Sequence, residues 1–228
     1  HIAGGHNAPP RKADRAQPEY GPRDIPDLTA IRDLGRPFWL GGGYASPQSL
    51  AQARAVGAAG VQVGTAFAYC RESGLADDLK RQVLAAALRG KVEVATDFCA
   101  SPTGYPFKVV HTEAIPALAQ GAARRRVCDL GYLRAPYLQA DGSLGYRCPA
   151  EPVASYLRKG GALEDTVGRR CLCNGLLAAI GLGQRRAEGV EPPLLTSGED
   201  LSFVAPLVGR HGLDYSAGDV IAYLQGEE

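Results

Sequence analysis

Pro37–Thr65 reads PFWLGGGYASPQSLAQARAVGAAGVQVGT, and its alternation of apolar runs and glycine turns decides the fold class. Phe38-Trp39-Leu40 is apolar and β-favouring, and too short for a helix. Gly41-Gly42-Gly43 removes every Cβ where that strand ends, so backbone N–H groups can approach a ligand closely. Ser46 then reads as an N-cap with Pro47 at the first helical position. Leu50, Ala53, Val56 and Gly57 follow at helical spacing. Gly60–Val63 opens a second strand, and Gly64-Thr65 a second glycine turn. The two turns lie about one βα repeat apart, which aims two sets of amides at the same end of a parallel sheet. That is a natural seat for a phosphate. The competing reading is that the glycines only relieve crowding where strand meets helix, and the residues alone leave both open.

Outward from this stretch, 228 residues allow one large domain or one domain with an extension. A formal net charge of +1 gives no electrostatic reason to expect nucleic acid or an anionic membrane as partner. No apolar segment approaches the ~18 residues of a membrane span, and Leu176–Leu182 is a core helix at most. Six cysteines in this length do not resemble a small disulfide scaffold, so a reducing cytoplasm is the default compartment. The chain opens HIAGGH and contains no methionine, which leads us to expect an incomplete chain.

Residues 1–6 look like a strand end running into a Gly-Gly turn that presents His6. Asn7–Pro26 is an irregular, Pro- and Arg-rich excursion of the kind that serves as a lid. Leu28, Ile31 and Leu34 predict a short helix. Leu75, Leu79, Val83, Leu84 and Leu88 predict another over 72–88, ended by Gly90. Val92–Phe98 is a candidate strand, Ser101–Val110 a turn with an apolar exit, and Ala114–Ala123 a short helix. Asp141-Gly142 marks a hairpin tip within Tyr132–Tyr146. Helices are expected over 152–159, 165–180 and 216–224, the last capped by Ser216.

AGGH at 3–6, GGG at 41–43 after an apolar strand, and GAAGVQVGTAF at 57–67 together resemble the nitronate monooxygenase family, also called 2-nitropropane dioxygenase-like proteins. SPTGYPFKVV, CDLGYLRAPY, GYRCPAEP and GRRCLCNGLLAAIGLGQR look like the C-terminal region of one branch of it. The resemblance runs over nearly the whole chain and in order. It implies an α/β fold: the C-terminal part of an FMN-binding TIM (β/α)8 barrel over 1–90 (end of strand 6, strands 7 and 8), then a mostly helical C-terminal extension over 91–228. Strands one to five would lie before His1, since such a barrel needs at least roughly 200 residues.

The resemblance also assigns roles. His6 becomes the catalytic base beside the flavin, suited by its ordinary pKa to accept a proton from a nitroalkane α-carbon. Gly4 and Gly5 let the backbone pass under the isoalloxazine, and Gly42, Gly43, Gly64 and Thr65 hold the FMN phosphate. Tyr44, Phe67 and Tyr105 are candidate pocket walls, although aromatics beside strands more often belong to the core. His111 and His211 have no evident partner and read as surface residues. Cys128, Cys148, Cys171 and Cys173 do not follow the paired spacing of zinc sites. They are read as structural thiols, with metal binding the less favoured alternative and Cys171 and Cys173 on different sides of a helix unless they lie at its frayed start.

Three functions follow. The first is oxidation of an alkyl nitronate or nitroalkane by O2 on FMN, giving a carbonyl compound and nitrite. The second keeps the flavin and reduces an enoyl thioester with NAD(P)H. The third is an inactive chain that needs a partner, marked by an exposed apolar face along the strand before Gly41.

Overall fold

The computed structural model describes residues 25–113, 124–187 and 189–227. His6, Gly4 and Gly5, most of the expected lid and the helix expected at 114–123 lie outside the described residues.

The opening stretch folds as its residues dictate. Helix α1 (Leu28–Asp33) starts at Asp27, whose Oδ1 accepts from the amides of Thr29 and Ala30 at 3.1 and 3.0 Å. Strand β1 (Trp39–Gly41) leads through the glycine turn to α2 (Pro47–Ala55). Ser46 caps α2 reciprocally with Ser49, and Pro47 occupies the first turn. Strand β2 (Gly60–Gln62) then pairs parallel to β1, with Trp39 opposite Gly60 and Gly41 opposite Gln62. Leu40, Ala53 and Ala58 form a small core of their own, backed by Leu28, Phe38, Tyr44 and Val61.

The barrel expectation fails at the next step. The described strands form four separate two-stranded sheets, and only β1–β2 is parallel. After the one-turn helix α3 (Thr65–Ala68) and helix α4 (Asp77–Leu88), strands β3 (Glu93–Asp97) and β4 (Phe107–His111) pair antiparallel with each other. Strands β5 (Ala135–Leu138) and β6 (Leu144–Arg147) form the expected hairpin, with Gly142 at a positive φ of 79° in its loop. The two-residue strands β7 (Arg185–Arg186) and β8 (Gly189–Val190) form a fourth ribbon. Closing a barrel needs every strand hydrogen-bonded on both sides, whereas β1 and β2 have only each other among the described residues. The expected helical extension is equally mixed, since it holds three antiparallel ribbons beside its helices.

Helices α5 (Val153–Arg158), α6 (Leu172–Ala179), α7 (Val204–His211) and α8 (Ala217–Gln225) complete the chain. Two starts differ from the sequence pattern for local reasons. Helix α4 begins at Asp77 rather than 72 because the carbonyls of Cys70 and Arg71 turn to the buried Lys80 ammonium, both at 3.1 Å. Helix α6 begins at Leu172 rather than 165 because Gly168 sits at φ 68° and the Arg170 amide donates to Cys99 O. The main core joins Leu79, Val83 and Leu84 of α4 to Phe203, Val204 and Leu207 around α7, Val220 of α8, and Tyr215 between them. Among the described residues no helix is long and apolar enough to cross a membrane.

Candidate functional site

Parallel pairing of β1 and β2 fixes the geometry that matters for a phosphate. Gly42-Gly43 leaves the last residue of β1, and Gly64-Thr65 follows β2 after one further residue, so both tips lie at the same end of the pair. Gly42 and Gly43 have φ of 90° and 77°, a backbone that only glycine adopts without strain. Gly64 has an ordinary φ of −110°, and a Cβ built there meets no atom within 4 Å. Crowding therefore does not account for Gly64; its bare backbone borders open space. The helices contribute less than the turns. α3 is a single turn, and the first amides of α2 are partly engaged, with Ser49 N–H already donated to Ser46 Oγ at 3.1 Å.

The second tip is braced from behind by a segment to which sequence reasoning gave no role. Thr65 Oγ1 accepts from the Gly198 amide at 3.1 Å, which fixes the hydroxyl while leaving it a proton to donate. Tyr215 O–H donates to Ala66 O at 2.8 Å, and the Ser197 amide donates to Lys108 O at 3.1 Å. Lys108 itself is fully buried, its ammonium 2.8 Å from a Glu199 carboxylate oxygen. A lysine inside the apolar run FKVV was the available signal for this pair. Burial pushes the phenol of Tyr69, which follows α3, up to about 12, so it stays protonated.

The aromatic candidates separate. Tyr44 packs on the small core and Phe67 on the main core, so both are packing residues. Tyr105 is exposed, its ring 5.1 Å from that of Phe107. His111 is half-buried at the end of β4, and burial lowers its pKa against the opposing charge of Glu93. His211, expected to lack a partner, stands 3.6 Å from Asp219. Trp39 remains 60% exposed beside the buried Leu40.

The four late cysteines meet. Cys148 and Cys171 are buried together with Ala150, and Cys128 and Cys173 pack against them. Cys171 is the N-cap of α6, so it and Cys173 lie at the helix start rather than on its opposite flanks. Among the described residues no group of three or more His, Cys, Asp or Glu is placed to hold a metal ion, and the cysteines are free thiols. A hydrogen bond from Cys171 lowers the Cys173 thiol below its ordinary value against opposing burial, while burial pushes Cys148 up to about 11. Thiolates, not thiols, react with alkylating agents. Iodoacetamide at neutral pH is therefore expected to label Cys173 first, with labelling rising as pH increases. Peptide mass spectrometry checks this, and Cys148 labelled as fast as Cys173 would contradict it.

A cavity of about 550 Å³ lies away from the glycine tips, between 125–128 and 151–159. None of Gly42, Gly43, Gly64 and Thr65 lines it.

No family model matches the chain, and no solved structure matches it. One curated protein is 37% identical over 98 residues, which is 43% of this chain and 26% of the relative. It is (3aS,4S,5R,7aS)-5-hydroxy-7a-methyl-1-oxo-octahydro-1H-indene-4-carboxyl-CoA dehydrogenase of Mycobacterium tuberculosis (strain ATCC 25618 / H37Rv). The matched stretch spans about a quarter of that relative's length.

Proposed function

We propose that this chain carries the phosphate seat of a flavin-dependent oxidoreductase acting on an acyl-CoA thioester. The observation that carries the reading is the parallel β1–β2 pair, with its two glycine tips at one end. The relative's name, a carboxyl-CoA dehydrogenase, supports both oxidoreductase chemistry and a thioester substrate. A second reading, FMN-dependent oxidation of an alkyl nitronate by O2, rests on the resemblance to nitronate monooxygenases carried by the AGGH, GGG and GAAGVQVGTAF blocks.

In either case the flavin supplies the redox chemistry when bound. The chain's part is to hold and orient. Gly42 and Gly43 offer amides without Cβ cover, Gly64 leaves room for the anion, and the Thr65 hydroxyl, fixed by the Gly198 amide, keeps a proton it can donate. Backbone donors of this kind cost no side-chain entropy on binding.

Gly64 offers a clean test because its Cβ direction is open. Gly64→Ala is expected to leave the thermal midpoint nearly unchanged. Gly64→Glu is expected to weaken FMN binding by at least roughly tenfold, because it sets a carboxylate against the phosphate. Fluorescence titration of FMN reads the effect, and Gly64→Glu binding FMN as tightly as wild type would remove the seat. Reduction of an electron acceptor by acyl-CoA, set beside oxygen uptake with a nitronate, separates the two substrates.

A further inference from the structure

We infer that the cavity between 125–128 and 151–159 receives the phosphorylated adenosine end of coenzyme A. The inference rests on the acyl-CoA reading above and names where the carrier is held. The cavity volume, about 550 Å³, falls within the range of small-molecule sites. Four cationic side chains line it, Arg125, Arg126, Arg158 and Lys159, against one carboxylate, Glu151. Such a concentration of charge stands out in a chain whose formal net charge is only +1.

Arg126 and Arg158 are each held in place by neighbouring oxygens. Arg126 is fixed by donating to Pro149 O at 2.9 Å and Thr166 O at 2.6 Å, which orients the guanidinium while further N–H donors remain. Burial, and then repulsion from Arg124, lowers its pKa, so an arriving phosphate relieves an existing cost. Arg158, exposed at the end of α5, is steered by Ser155 Oγ at 3.1 Å. Arginine forks match phosphate oxygens two at a time.

Glu151 distinguishes a nucleotide from a simple anion. It is buried, with Oε2 holding Lys159 Nζ at 2.7 Å, and its Oε1 has no hydrogen-bond partner. A carboxylate repels the charge of inorganic phosphate and could take only its remaining P–OH proton. A ligand that carries phosphates together with amino or hydroxyl donors answers both the cations and this acceptor, and adenosine 3′,5′-bisphosphate is such a group. The cations sit around one cavity rather than along an extended stripe, which favours a small ligand over a nucleic-acid strand.

Calorimetric titration of the full chain with CoA, 3′-dephospho-CoA and inorganic phosphate tests this. CoA is expected to bind, 3′-dephospho-CoA roughly tenfold more weakly, and inorganic phosphate more weakly still. Arg158→Glu is expected to weaken CoA binding by at least roughly tenfold, and Arg125→Glu/Arg158→Glu to abolish it. Both positions are exposed, and far-UV circular dichroism confirms that the variants fold. The inference is overturned if CoA does not bind, if the double variant binds CoA as wild type does, or if CoA binds no better than inorganic phosphate. Titrating FMN into the same samples separates the two sites: CoA binding without FMN binding leaves the cavity standing and removes the flavin seat, and the reverse removes the cavity alone.

Discussion

Phe203→Ala is expected to lower the unfolding free energy by about 3–5 kcal/mol, the cost of deleting an aromatic ring from a packed core. Phe203 has no exposed surface and joins the core shared by α4, α7 and α8. The neighbours that would have to move into the gap, Leu84, Leu207 and Val220, are themselves fully buried and held on three separate helices. Little relaxation is available, which places the change toward the upper part of that range. Urea denaturation followed by circular dichroism measures it. A loss under about 1 kcal/mol would mean that the cluster is loosely packed and able to collapse.

Glu199→Gln is expected to cost about 3 kcal/mol, the low end for breaking a buried ion pair. The asymmetry lies in exposure: the Lys108 side chain is 0% exposed and that of Glu199 is 49% exposed. Removing the carboxylate leaves a buried ammonium without the counter-charge of Glu199, although Lys108 engages a further group. Removing the lysine instead leaves a carboxylate that water already reaches, so Lys108→Met should cost clearly less. Equilibrium denaturation of the two variants decides the point. Equal losses would show that packing of the lysine stem, rather than charge, holds this segment to the second glycine tip.

Much of this architecture was legible in local chemistry. Ser46, Pro47 and Ser216 announced two capped helices, Asp141-Gly142 a hairpin, and Gly90 a helix end. The parallel β1–β2 pair followed from strand, helix and strand in succession. Sheet closure was not legible, because it depends on partners for the outer edges of β1 and β2 that no local pattern encodes. Helix α7 was hidden by Pro206, which reads as a breaker yet falls within its first turn, where a missing N–H costs nothing. The meeting of Cys128, Cys148, Cys171 and Cys173 depends on three distant turns converging, and their spacing along the chain carried no sign of it. The placement of both glycine tips at one end of the pair was readable. The Thr65–Gly198 brace behind them was not, since it joins residues far apart in sequence.

The β1–α2–β2 unit has a small core of its own in Leu40, Ala53 and Ala58, with Leu50 also buried on α2, and Ala45 ties it to the larger cluster of α4, α7 and α8. With few fully buried side chains of its own, this unit is expected to open more readily than the α4–α7–α8 core, and amide hydrogen exchange measures the difference. An anion bound between its tips, as proposed, would then act as a fastener as well as a guest. Some of its intrinsic affinity goes to closing the unit, and apparent affinity falls in proportion to the fraction of molecules found open.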